Sequence, residues 1–180
     1  MQPLNIVTEL KKIPIHYGFF SLALEKTGLQ RVFVSLTAAT VFVPTNSAFL
    51  ALGLRTLRYL FSSEGLPYLT LVMLYHGSHN LKYSTDLISH KNTTLPSLFA
   101  GRDIQVHYLN GVLYINGEEA QIVKPLDGLG ENGVFHPINK VLLPEAEYRV
   151  LEAQVEEYYR GQVSEEDQAF TTLLESFMSQ

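Results

Sequence analysis

The chain has 180 residues, of which 46% are hydrophobic and 17% charged, and its formal net charge is -5. That composition buries enough apolar surface to offset ordering entropy, which excludes a disordered chain, and the length suits one domain or one domain with an appendage. The acidic balance and scattered Lys and Arg leave no field for a nucleic-acid backbone, and the absence of cysteine excludes disulfides, thiol catalysis and thiolate metal sites.

Taken in chain order, Pro14 opens a helix that ends at Gly28, with Tyr17, Phe20 and Leu24 at helical spacing. Thr40 to Val43 is a short β-branched and aromatic strand stopped by Pro44, after which Thr45 or Asn46 caps a short helix carrying Phe49 and Leu52. Leu54 to Phe61 and Pro67 to His76 read as helices separated by a Ser-Ser-Glu-Gly turn, with Leu69, Val72, Met73 and His76 on one face of the second. The period then falls from about 3.6 to 2. A two-residue turn at Asn110-Gly111 pairs Leu109 with Val112, Tyr108 with Leu113 and Val106 with Ile115, leaving Gln105, His107, Tyr114 and Asn116 on the other side. A second such turn at Asn116-Gly117 returns Ala120 and Ile122 to the apolar face and makes a three-stranded meander. Its six apolar side chains, Val106, Tyr108, Leu113, Ile115, Ala120 and Ile122, are expected beneath a blanket of helices. Gly133 to Leu143 is a further strand, in which Pro137 removes a ladder donor and implies an edge or a bulge; Pro144 closes it.

Residues 145–180 are an acidic tail with two helical patterns joined at Gly161 to Ser164. Tyr148, Leu151, Val155 and Tyr158 or Tyr159 line the first; Phe170, Leu173, Leu174 and Phe177 line the second, behind a Ser164-x-x-Asp167 capping signal. Both faces need something to pack on. FSLALE at Phe20 and FTTLLE at Phe170 are alike and about one domain length apart, so the tail reads as a helical cap or as a linker and the first helix of a truncated second repeat.

TVFVPTNSAF at 40–49, the Tyr75-His76 pair and NGVFHPINKVLLP at 132–144 occur in an order and spacing that resemble a fasciclin-like (FAS1) domain over residues 4–144. LPSLFAGRDIQVHYLNGVLYING resembles that family's central hairpins, and LFSSEGLPYLTLVMLYH is most similar to repeats of secreted fungal fasciclin proteins, which often carry two copies. The resemblance implies an α+β fold, a wedge-like β-sandwich of about seven strands wrapped by several helices, here with a C-terminal helical extension over 145–180. It implies a non-catalytic cell-adhesion module that interacts with protein or glycan at the cell surface, matrix or cell wall, and a secreted or cell-surface location. The family-motif residues, with structural or adhesion roles, are Thr40, Phe42, Pro44, Thr45, Asn46 and Phe49 in the first motif and Tyr75 and His76 in the second. The third contributes Asn132, Gly133, His136, Asn139 and Pro144.

Three departures from the family pattern stand out. Gly77, Ser78, His79 and Asn80 replace an apolar pair and a proline after Tyr75-His76, which predicts a more flexible loop. Pro137 stands where a β-branched residue is usual, and Asn139 where an Asp is usual. There is no Arg-Gly-Asp; Gly101-Arg102-Asp103 has another order.

His76 and His79, three apart, can put two imidazoles on one side, short of the three or four convergent ligands a metal needs. Since His76 continues an apolar stripe and His136 sits between Val134 and Ile138, both read as buried, hydrogen-bonded histidines, with His107 the most solvent-facing of the six. No metal and no cofactor is expected. Serine and threonine occupy turn and cap contexts, and no nucleophile motif is present, so catalysis is not expected either. Asn92-Thr93-Thr94 is an N-glycosylation sequon in a polar loop before Leu95, compatible with the secretory route. No apolar run approaches the roughly 20 residues that span a bilayer, and the opening MQPLNIVTELKK lacks the charged-then-apolar order of a secretion signal. Two further expectations complete the reading: a rival function as a carrier of a small apolar ligand or lipid in the space between sheet and helices 14–27 and 54–76, and self-association through the C-terminal helices.

Overall fold

A computed structural model describes residues 4–160, together with Thr172, Leu173 and Ser176. Helix α1 (Ile6–Lys11) starts where the Asn5 side chain accepts a hydrogen bond from the Thr8 N–H. Helix α2 (Pro14–Lys26) follows as the Pro/Gly punctuation predicts: Pro14 sits in its first turn and Gly28, at φ +74°, takes the left-handed position beyond its end. Tyr17 breaks the helical dihedrals inside it. Then come α3 (Gln30–Ser35), β1 (Ala39–Pro44), α4 (Asn46–Leu50), α5 (Leu54–Phe61) and α6 (Leu66–Tyr75). The second half runs β2 (Gly77–Ser78), α7 (Ser84–His90), β3 (Asn92–Pro96), β4 (Asp103–Leu109), β5 (Val112–Ile115), β6 (Ala120–Gln121), β7 (Gly128–Gly130), β8 (Gly133–Ile138) and α8 (Glu145–Arg160).

Two four-stranded sheets result, ordered β2-β1-β8-β7 and β3-β4-β5-β6. In the first, β1 and β8 run parallel in a register from Ala39 opposite Gly133 to Pro44 opposite Ile138. Gly133 is required there: at φ +151°, a Cβ would stand 2.0 Å from the Ala39 carbonyl oxygen. The strand ends at Ile138 rather than Leu143, and β8 is an interior strand, not an edge. Pro137 is tolerated because β7 pairs with β8 up to Phe135 and stops, so the proline faces the segment arriving from β6, where its carbonyl accepts from the Val123 N–H at 2.8 Å.

In the second sheet, the hairpin register is the predicted one: Leu109 opposite Val112, Tyr108 opposite Leu113, Val106 opposite Ile115. The next connection is a four-residue loop, since Ile115 pairs with Ala120, not the two-residue turn read from Asn116-Gly117. Two extra residues preserve parity, so Ala120 and Ile122 still face inward. The expected three-stranded meander is four-stranded, because the Asn92-Thr93-Thr94 stretch, read as a loop, forms edge strand β3 against β4.

The sheets meet where β6 runs into β8. Asn139 ties them, its Oδ1 accepting from the Gln121 N–H at 2.8 Å and its own N–H donating to the Gln121 carbonyl at 3.1 Å. Two apolar clusters fill the molecule. One, between the first sheet and the helices, holds Phe19, Phe20, Phe33, Phe49, Leu60 and Met73, all fully buried. Each such side chain contributes about 1.5–3 kcal/mol of transfer free energy. The other lies between the two sheets, so the inner face of the meander covers Phe42 and Ile138 of the first sheet, and helices reach it only through Leu87 of α7 and Tyr75 of α6 rather than blanketing it. Tyr108, at its margin, is half-buried.

The polar turn predicted after His76 is instead strand β2, pinned on both sides. Ser78 and Gly77 pair with Thr40 and Val41, and the Gly77 carbonyl accepts from the Leu98 N–H at 2.8 Å. A side chain at 77 would meet Leu98, so the glycine read as loosening the segment is what lets it pack. Helix α8 lies on α5: Leu151 and Val155 are buried, Tyr59 Oη donates to Gln154 Oε1 at 2.9 Å, and Arg102 pairs with Glu147 at 2.6 Å. The second apolar pattern of the tail, with Phe170, Leu174 and Phe177, lies outside the described residues.

Candidate functional site

The family-motif residues lie on the first sheet and at its junctions with the helices and with the second sheet. Thr45, not Asn46, is the cap of α4, accepting from the Ala48 N–H at 3.3 Å. That frees Asn46 for a longer reach. Its Oδ1 accepts from the Phe19 N–H at 3.0 Å and its Nδ2 donates to the Pro14 and Ile15 carbonyls at 2.9 and 3.0 Å, satisfying backbone groups around the break at Tyr17. Thr40 Oγ1 donates to the Asn80 carbonyl at 2.6 Å and accepts from the Lys82 N–H at 2.8 Å. Phe42 and Phe49 are fully buried, Phe49 stacked on Phe19 with ring centroids 5.7 Å apart, and Pro44 ends β1.

Asn132 works as Asn46 does, from the opposite end of the sheet. Its Oδ1 accepts from the Ile6 N–H at 2.9 Å and its Nδ2 donates to the Phe33 carbonyl at 3.0 Å, joining α1 and α3 to the start of β8. The Pro144 carbonyl accepts from the Tyr148 N–H at 2.9 Å as α8 begins.

Tyr75 and His76 leave the end of α6 in different directions. Tyr75 Oη donates to the Asp103 carbonyl at 3.2 Å and accepts from Asn116 Nδ2 at 2.9 Å, locking α6 to β4 and the β5–β6 loop. His76 is fully buried; its Nδ1 donates to the Val72 carbonyl at 2.6 Å, which leaves Nε2 to accept the Leu142 N–H at 2.9 Å. Burial pushes its pKa down to about 4, against the opposing effect of the Val72 carbonyl, so the ring is neutral at pH 7. His79 is exposed, so the two imidazoles do not converge. Among the described residues no three His, Cys, Asp or Glu side chains gather in a way that holds a metal.

His136 is the more unusual imidazole. Its Nε2 faces the Lys82 carbonyl at 2.8 Å, while Nδ1 is buried without a hydrogen bond, 3.9 Å from Asp127 Oδ1. Burial lowers its pKa, opposed by the Lys82 carbonyl and by the Asp127 charge. Asp127 itself accepts from the Ser84 N–H at 2.7 Å and from the Ser84 hydroxyl, holding the start of α7. Serine, histidine and aspartate are thus together, but the hydroxyl is bonded to the carboxylate, Nε2 of the imidazole faces a main-chain carbonyl, and Nδ1 makes no hydrogen bond to either. The hydroxyl is thus held by the carboxylate and not by the imidazole, which is not the Ser–His–Asp order of a catalytic triad.

The remaining histidines fall on the surface, and His107 is not the most exposed of them. It is half-buried, stacked on Tyr114 with centroids 5.2 Å apart and planes 18° from parallel, whereas His16, His79 and His90 are exposed. Asn92 is exposed at the head of edge strand β3. The space between sheet and helices, proposed to hold an apolar ligand, is filled by the phenylalanine cluster. Crevices lie elsewhere: one of about 680 Å³ between α5 and α8, beside Tyr59, Val150 and Tyr158, and one of about 430 Å³ beside α4, floored by Ala48, Leu52, Val141 and Leu143.

Comparison with known proteins gives this arrangement a family. The fasciclin domain model matches residues 16–144. The chain is 29% identical over 136 residues to the aurofusarin biosynthesis cluster protein S of Gibberella zeae, covering 59% of this chain and 33% of that protein. It is 29% identical over 144 residues to the transforming growth factor-beta-induced protein ig-h3 of Sus scrofa, covering 80% of this chain and 20% of that one. The chain therefore spans a third or less of the length of these relatives. A solved FAS1 domain pair from the insect cell adhesion molecule fasciclin I shares the fold, with a TM-score of 0.68 at 18% identity over 79% of this chain and 52% of that one. The chain belongs to the fasciclin domain family, whose modules are generally adhesion-related and non-enzymatic.

Proposed function

We propose that the chain is a non-catalytic adhesion module acting outside the cell, at its surface, in the matrix or in a cell wall, and that its partner is a protein or a glycan. One observation carries the reading: the polar side chains of the three motifs are bonded to this chain's own backbone, with Asn46, His76 and Asn132 each holding two or more segments together. Such groups build a scaffold and leave recognition to the outer surface. Immobilised protein presented with matrix proteins and wall polysaccharides tests this; a specific partner supports it, and the absence of any binding at high micromolar concentration counts against it.

The same reading treats α8 as a surface through which copies associate, since it also presents Val150 and Tyr148 to solvent, at 52% and 41% exposure. Sedimentation of the full chain at two concentrations checks it: one monomeric species at both rejects it.

A second reading, a carrier of a small apolar molecule, is favoured by the 430 Å³ crevice with its apolar floor and by similarity to a fungal protein named for aurofusarin biosynthesis. Native mass spectrometry of protein from its own source separates the two: a retained apolar adduct favours the carrier.

A further inference from the structure

The outer face of the second sheet carries a row that no motif explains. Asn92 lies directly opposite His107, and His107 directly opposite Tyr114. The two rings of that row are stacked, 5.2 Å apart and 18° from parallel, and half-exposed. Leu109, 50% exposed, and Val112 extend the same face. Asn92 is exposed, and so is Thr94 two residues on.

Backbone geometry opens the site further. The Lys91 carbonyl accepts from Tyr108 and the Ser97 N–H donates to Arg102, so Thr93 and Leu95 turn their backbone groups to β4 while Asn92, Thr94 and Pro96 turn theirs to the free edge. Asn92 and His107 are therefore a non-hydrogen-bonded pair, the kind in which side chains stand closest, with Cα atoms about 4.5 Å apart.

We propose that Asn92 is an N-glycan acceptor and that the first N-acetylglucosamine of its glycan lies across the His107–Tyr114 stack. In the transfer, Asn92 Nδ2 bonds to C1 of a lipid-diphosphate-linked oligosaccharide. The C1–O bond breaks, the amide loses one proton, and the lipid diphosphate leaves with the bonding electron pair. Asn92-Thr93-Thr94 supplies the acceptor sequence, and the free edge gives the transferase access. The hydrogen-rich face of a pyranose is apolar and weakly positive, which suits the negative face of an aromatic ring. His107 and Tyr114 follow Asn92 in one row across that face, next to the first sugar of a glycan carried there.

The proposal rests on the extracellular location argued above, and the test separates the two. The whole chain is exported by a eukaryotic secretory host behind that host's own signal sequence and compared with the same chain made in bacteria. An endoglycosidase-sensitive mass shift is expected in the exported protein and lost in both Asn92→Gln and Thr94→Ala. Exported protein trimmed to a single N-acetylglucosamine is expected to melt about 2–4 °C above the bacterial chain, a gap that Tyr114→Ser or His107→Ala abolishes. Exported protein without the shift overturns the acceptor site and leaves the native location untouched. A shift with no difference in melting overturns the sugar platform.

Discussion

His76 sits where an imidazole cannot gain a proton without losing a structural bond. Its Nε2 is the acceptor for the Leu142 N–H, and no water-facing nitrogen remains. Its folded pKa of about 4 lies below the ordinary 6.5, so between those values the unfolded chain binds more protons and stability falls as pH falls. The loss begins below about pH 6.5 and amounts to roughly 2 kcal/mol at pH 5. His136, also lowered by burial, acts in the same direction. Urea unfolding at pH 7 and pH 5 measures this, and His76→Gln, which can keep both bonds, is expected to flatten the profile. Asn46→Ala orphans the buried Phe19 N–H together with two carbonyls and is expected to cost about 2–3 kcal/mol, read by the same unfolding. Asn46→Asp is expected to destabilise as well, because it sets a carboxylate against the Pro14 and Ile15 carbonyls. The burial of His76 was legible in the sequence from its place on the stripe of Leu69, Val72 and Met73. The reach of Asn46 was not, because its partners lie in another helix about thirty residues away, and a polar residue after a strand reads as a cap. The stacking of His107 was missed although the hairpin register put Tyr114 opposite it: alternation assigns a side chain to the solvent face without showing that two rings there shield each other.

At the level of elements, segments marked by a period or by turn and cap chemistry were legible, and short unmarked ones were not. Helix α2 and the β4–β5 register followed from spacing and turn chemistry. Helices α1, α3 and α7 and strands β2 and β7 are two to seven residues long, too short for a period to declare itself. Partners far along the chain hold them: α7, for instance, begins on Asp127. Pro137 misled for a physical reason. It argues against an interior strand until one sees that its missing donor faces the place where β7 has already ended. The parallel pairing of β1 with β8 depends on Gly133, and Gly133→Ala is expected to cost roughly 3 kcal/mol through the forced approach to Ala39, visible as a lower urea midpoint. Helix α8 contributes to the first apolar cluster through Leu151 and Val155. Leu151→Ala is expected to cost about 2–4 kcal/mol, and ending the chain at Pro144 is expected to lower the melting temperature; unchanged melting in both would show that the helix adds nothing to the domain.

On the scale of the whole molecule, two sheets joined at Asn139 and a helical layer over one of them pack around two apolar clusters. The three motifs mark the seams: Asn46 between α2 and α4, Tyr75 between α6 and the second sheet, Asn132 between α1, α3 and β8. Polar residues held this way fix which helix lies on which strand. The scaffold claim stands or falls on the most completely enclosed of these groups. Nitrogen-15 NMR of the His76 imidazole from pH 8 to pH 5 tests it most directly: a neutral ring protonated at Nδ1 throughout is the expected result, and a ring that titrates near pH 6.5 with rapid proton exchange would contradict it.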